Sequence, residues 1–345
     1  MGCFRFALAV NVMLFHILQV PYIGPFAVYS FFILSGFLMT TIMKATYGYG
    51  FDGIKAYALN RFLRLYPVHW FLLLFSIAVI GLVGRDFAFN YNASFGIPTY
   101  KSAILANLTL IYPSFMPIDF NPRLSPPSWA LTIELFFYLL IGLGLSRTKR
   151  ITLFWVAVSA AFWLYRILVH ADYKAGYGDI FSASLPFSIG AALYYYKDTV
   201  FQWMQRFLGQ APAWWLVLLF ILNLGLCVFI RSDGIAIAGV YLNLLLSALL
   251  VVTLFRQRLT LPSKGVDRFL GDLSYPLYLC HWSTACLMAW LLADNGTVTG
   301  TLKNVMVFAT ALLLAILVSV IANKVINDPI EKLRRRVKSR LAGAA

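Results

Sequence analysis

Ten apolar runs of about 17 to 25 residues divide the chain, and no other feature narrows its possible folds as far. They cover residues 4–20, 26–43, 66–83, 129–145, 151–169, 180–196, 214–230, 235–255, 274–292 and 302–325. Each can cross a hydrocarbon core of about 30 Å as a helix, where every backbone N–H and C=O must find a partner in its own segment. With 61% of the 345 residues hydrophobic and 12% charged, a soluble domain is excluded. The expected fold is therefore all-α: a polytopic integral membrane protein of about ten transmembrane helices. Residues 103–112 form a shorter apolar piece that reads as interfacial or re-entrant. The first run resembles a signal peptide in length, but no small-residue cleavage site follows it, so it is expected to be retained.

The net charge of +15 is not spread evenly. With the N-terminus cytoplasmic and ten crossings, Lys44, Lys55, Arg61, Arg64, Arg147, Lys149, Arg150 and the 332–340 cluster fall inside. Arg85, Lys101, Arg123, Lys174, Arg231 and Lys303 fall outside. That bias matches the positive-inside rule and puts both termini in the cytoplasm. The tail "EKLRRRVKSR" reads as a polybasic segment against anionic lipid, and no nucleic-acid module accompanies it. Residues 1–330 are thus expected to form one transmembrane domain, with 331–345 a basic cytoplasmic tail.

Cys3, Cys227, Cys280 and Cys286 lie in or beside apolar runs without metal-ligand spacing, so neither a disulfide framework nor a metal site is expected. The Asn-x-Ser/Thr triplets at Asn92, Asn107 and Asn295 are short enough to arise by chance. The longest stretch outside the runs, 84–128, leaves no room for a second enzyme domain, and the function belongs to the bundle itself.

An ionisable side chain in mid-membrane costs roughly 2.5–3.5 kcal/mol, so each needs a reason. Arg5 and His16 are eleven residues apart, close to three full turns, so they project from one helix face about 16 Å apart. A topology signal and a packing histidine explain that pair equally well. Glu134 lies about 7.5 Å from the expected outer start of its run, and His281 about 10 Å into its own. His16, Glu134 and His281 then share the middle-to-outer bilayer, with either histidine a partner for the carboxylate. A histidine held by a carboxylate is a general-base arrangement. His69, in "YPVHW", reads as interfacial with Trp70 and is left out. Arg61 and Arg64 share a helix face and suit bidentate phosphate binding, although alone they read as ordinary positive-inside charges.

These motifs together resemble the membrane acyltransferase 3 family. They are Arg, ten residues, then His; "FFILSGFLM"; Arg-x-x-Arg before Tyr-Pro; "SWALTIELFFYLL"; and "LSYPLYLCHW". The resemblance runs from Cys3 to about Trp282. It implies an O-acyltransferase that moves an acyl group, acetyl by default, from cytoplasmic acyl-CoA to a carbohydrate hydroxyl at the outer side. It assigns His16 the catalytic role, the acid to Glu134, the late motif to Tyr275 and His281, and the donor to Arg61 and Arg64. Arg5, the first-span partner of His16, is expected to hold the donor's phosphates with them at the cytoplasmic mouth, and His281 or the Tyr275 hydroxyl to stabilise the developing oxyanion. Ser35 and Trp129 match supporting positions. Ala130 stands where the family commonly carries serine, which puts a substrate contact from that position in doubt. No bound cofactor is implied. The implied partners are membrane lipid, a polysaccharide or lipid-linked oligosaccharide acceptor and polysaccharide-assembly proteins, in a bacterial inner membrane.

A proton-coupled transporter would use the same histidines and carboxylate as a relay, but it predicts paired repeats and gives Arg61 and Arg64 no task. A membrane scaffold leaves Glu134 unexplained.

Overall fold

The computed structural model describes residues 1–170, 176–209, 212–230, 232–257, 263–292 and 301–334. Lys174, Arg231, the Asn295 triplet and residues 335–345 of the basic tail lie outside them. The described chain is helical throughout: α1 (Gly2–Ile17), α2 (Ile23–Ile42), α3 (Phe51–Val83), α4 (Arg85–Tyr91), α5 (Lys101–Thr109) and α6 (Trp129–Gly142). Then come α7 (Lys149–His170), α8 (Ile180–Leu208), α9 (Pro212–Ile230), α10 (Asp233–Arg256), α11 (Lys264–Leu291) and α12 (Thr301–Ala322). Six helical stretches are long and apolar enough to cross a membrane: Ile23–Tyr47, Phe51–Val83, Lys149–Val169, Ala213–Ile230, Gly234–Arg256 and Leu302–Arg334. α8 and α11 have the length, 29 and 28 residues, but carry more polar side chains.

The centre is built by α2 against α8 and by α1 against α11. Gly36 and Gly190 set the first contact, since a Cβ on Gly36 would overlap the Phe187 carbonyl and one on Gly190 the Ile33 carbonyl. Only glycine lets the two backbones approach this closely. α1 and α11 run parallel, because Asp267 accepts from Cys3 N–H at 2.9 Å while His16 stacks on His281 further along. Asp267 thereby satisfies an orphan donor in the first turn of α1. Burial works to raise the Asp267 carboxyl, but the N–H groups of Cys3 and Gly2 and the terminal ammonium outweigh it and hold the group at about 2.

Residues 84–128 depart most from expectation. α5 ends inside the bundle, with Leu110 fully buried in a left-handed conformation. A helix that stops there leaves carbonyls that water cannot reach. His69 Nε2 donates to Asn107 O at 2.7 Å, Trp70 Nε1 to Leu108 O at 2.9 Å, Tyr66 OH to Thr109 O at 2.6 Å and Thr132 Oγ1 to Leu110 O at 2.7 Å. The end of the apolar piece 103–112 thus packs into the protein interior, with Leu110 fully buried. His69, expected with Trp70 at an interface, is fully buried in the protein and caps this helix end.

The chain then folds back through 110–128, pinned by Ser125 Oγ to Leu279 O at 2.8 Å and by Tyr278 OH to Pro127 O at 3.1 Å. As a result α6 has only 14 residues, short of the about 20 a crossing needs. The helix over the expected run 129–145 is thus shorter than predicted, and it is not among the stretches long and apolar enough to cross a membrane.

Candidate active site

α1 joins two cavities. Arg5 lines a narrow one of about 140 Å³ with Ser35, Arg61, Arg64, Glu134 and Tyr275. His16 lines a larger one of about 770 Å³ with Trp129, Trp282 and Arg123. Eleven residues of helix separate Arg5 from His16, a rise of about 16 Å, so the pair expected from spacing serves two chambers rather than one.

In the arginine cavity both Glu134 oxygens are held. Ser35 Oγ donates to Oε1 at 2.8 Å and Tyr138 OH to Oε2 at 2.8 Å. The expectation that Glu134 sits at the depth of His16 and orients a histidine is therefore not met. α6 starts deep in the bundle, which carries Glu134 to the arginines. Ser35 and Gly36 divide the labour of their motif: one binds the carboxylate and the other seats α8. Tyr138 escaped the sequence reading, though its position four residues after Glu134 on one helix face was the available signal. Tyr275 also belongs here, donating to Leu65 O at 2.9 Å, beside Arg64.

In the histidine cavity the His16 ring meets Trp282 at 4.9 Å and stacks on His281 at 5.4 Å, the rings inclined by 19°. His281 is fully buried, and its Nδ1 donates to Tyr278 O at 2.7 Å. That bond fixes the neutral tautomer and leaves Nε2 with its lone pair and no partner. Stacked rings do not share a proton in plane, so His281 sets the orientation of His16 by its face. Arg123, expected on an outer loop, is buried, with Nη1 donating to Pro117 O, Ile118 O and Phe120 O at 2.8–3.0 Å. Of the aromatic residues in 84–128, Tyr91 lines the cavity, Phe95 and Tyr112 are core, and Tyr100 and Phe115 are exposed.

Between the chambers stands a thin wall. Trp129 and Pro127 face the histidine cavity, Ala130, Leu131 and Tyr278 face the arginine cavity, and the Tyr278–Pro127 hydrogen bond closes the seam. Ala130 lies in this wall, where its lost hydroxyl removes nothing from the hydrogen bonds of Glu134.

A bundle with six helical stretches long and apolar enough to cross a membrane defines, among the described residues, the class of multi-pass membrane proteins. A family model described as an acyltransferase domain matches residues 2–324, and the chain belongs to that family, acyltransferase 3. Comparison with curated proteins and with solved structures found no match. Family membership makes the protein a membrane acyltransferase, so the transporter and scaffold readings fall away.

Proposed function

We propose that the protein moves an acyl group, acetyl in the first instance, from acyl-CoA to a carbohydrate hydroxyl, with His16 as the base. The observation that carries this reading is the placement of Arg5 and His16 on one helix with a chamber at each. Three guanidinium groups suit the donor's phosphates, and the narrow arginine cavity suits its slender pantetheine arm. The arginine end faces the cytoplasm in this reading, in keeping with the positive-inside rule. Ten membrane passages, cytoplasmic termini and a bacterial inner membrane complete the proposal, α5 and α6 together making one passage.

On the other side, the tryptophans and Tyr91 offer flat faces to a sugar ring, and the amides of Asn90, Asn92 and Asn304 can bond its hydroxyls. A polysaccharide or lipid-linked oligosaccharide delivered by assembly proteins is the acceptor class that fits. In the reaction His16 takes the hydroxyl proton as the oxygen attacks the thioester carbon. The C–S bond breaks, the thiolate takes the proton back from the imidazolium, and free coenzyme A and the ester result. His16 acting instead as the acyl carrier uses the same residue and balances equally.

The test is H16A in membranes supplied with labelled acetyl-CoA and candidate glycans. A loss of about 10² to 10⁴ is expected, with the protein still extracted as a folded species. Transfer within about tenfold of the wild type, beyond what loss of a general base permits, would overturn the assignment.

A further inference from the structure

Beyond the arginine cavity, where α3 meets the helix that continues from α12 to Arg334, four buried polar groups have no hydrogen-bond partner among the described residues. They are Tyr47 OH, Asn60 Nδ2, Arg61 Nε and Arg334 Nε. Buried donors are almost always paired, so four orphans in one place point to a missing acceptor. Asn60 is fully buried, and its Oδ1 accepts from Arg61 at 2.8 Å and from Arg334 at 3.2 Å. A neutral amide thus holds two guanidinium groups side by side. Glu331 bonds Arg334 at 2.6 Å, while Asp272 stands at 3.9 Å from both Arg64 and Arg268.

Arg61 and Arg334 border a cavity of about 460 Å³, with Asn60 and Tyr47 behind them, and Arg61 and Arg64 belong to it and to the narrow arginine cavity alike, so the two are neighbours along one route. Its cations, Arg61, Arg64, Arg268, Lys324 and Arg334, outnumber its carboxylates, Asp272, Asp328 and Glu331. A widened π turn, Asn323–Asn327, lines it, and a second, Met43–Tyr47, carries the Tyr47 orphan. Such turns recur at functional sites. Every orphan can donate, and a tetrahedral phosphate, with several acceptor oxygens and two charges, is the ligand that matches them.

We propose that this cluster binds the donor's terminal ribose phosphate, with Arg334 as a binding residue beyond the segment the family model matches. The inference rests on the donor reading given above. With the thioester directed toward His16, the phosphate most distant from it reaches the orphan donors around Arg334. An anionic lipid headgroup offers the same chemistry, and the test separates the two sources.

The full chain in phosphatidylcholine nanodiscs is titrated with coenzyme A and with 3′-dephospho-coenzyme A. The wild type is expected to bind coenzyme A about tenfold or more tightly than the dephospho form, the scale of one charge-assisted pair. R334Q should abolish that preference by weakening coenzyme A alone. Y47F, which removes one hydroxyl, should reduce it without disturbing the guanidinium pair, and so guards against a folding failure of R334Q. An undiminished preference in both variants overturns the inference and leaves the proposed function intact. Protection by phosphatidylglycerol nanodiscs in place of coenzyme A overturns the nucleotide assignment in favour of a lipid. If neither nucleotide binds while inorganic pyrophosphate stabilises the wild type and not R334Q, the phosphate site stands and the donor reading falls.

Discussion

A carboxylate can accept from several directions, and in Glu134 one place on each oxygen is already taken, by Ser35 and by Tyr138. Hydrogen bonds to a charged group contribute about 1.5–3 kcal/mol each, so Y138F or S35A should cost roughly ten- to a hundredfold in any step that needs the carboxylate in place. Acyl transfer at saturating donor concentration measures this, and a rate equal to the wild type in the S35A/Y138F double variant would remove Glu134 from the reaction. Ser35, Glu134 and the arginines were readable as motif residues because their type and spacing are local properties. Tyr138 was readable in principle from the same helix face. That Glu134 serves the arginines and not the histidines was not readable, because it depends on how deep α6 begins. Asp267 adds a pH dependence outside the membrane. Its folded value of about 2 lies below the reference of 3.8, so its contribution is complete above about pH 4 and disappears as pH falls through 2. The gap in thermal stability between wild type and D267N should be constant from pH 5 to 8 and narrow below pH 4.

Among the elements, α5 and α6 carry the least legible part of the fold. Hydropathy reports length and apolar content, and residues 129–145 satisfy both. Nothing in that window says that the helix starts in the middle of the bundle. The information sits elsewhere, in Tyr66, His69 and Trp70 on α3 and in Ser125, whose hydrogen bonds hold the two short helices. His69 reads as interfacial because it stands three residues into its run beside Trp70; the two side chains diverge by about 100° around the helix, which leaves Trp70 exposed and the imidazole buried. H69A leaves the Asn107 carbonyl without its donor, at a cost of about 1–3 kcal/mol. The melting temperature of the full chain in detergent should drop accordingly, while transfer per folded molecule at low temperature stays near wild type, since His69 borders neither chamber.

For the whole molecule, the two chambers and the wall between them set what the bundle can keep apart. Tyr278 closes the seam with its hydroxyl and orients His281 with its carbonyl. Removing the ring in Y278A should widen the way from the arginine chamber to the histidine chamber beyond what an acyl-pantetheine arm needs and admit water to the thioester. Donor hydrolysis without acceptor should then rise relative to transfer, which free thiol release against labelled glycan quantifies. Unchanged partition between water and acceptor would mean the wall lies elsewhere.

The two short helices also constrain how the chain is made. Neither α5, with nine residues, nor α6, with 14, is long enough to enter a bilayer unaided. Their anchors on α3 are translated first, but Leu279 and Tyr278, which hold Ser125 and Pro127, emerge some 150 residues later. Until α11 arrives, the segment between the two short helices lacks those two anchors. A locking step late in biogenesis is therefore expected, in which α11, in the last quarter of the polypeptide, seals the wall, and a ribosome stalled before α11 should hold a chain whose 110–128 segment is still open to protease.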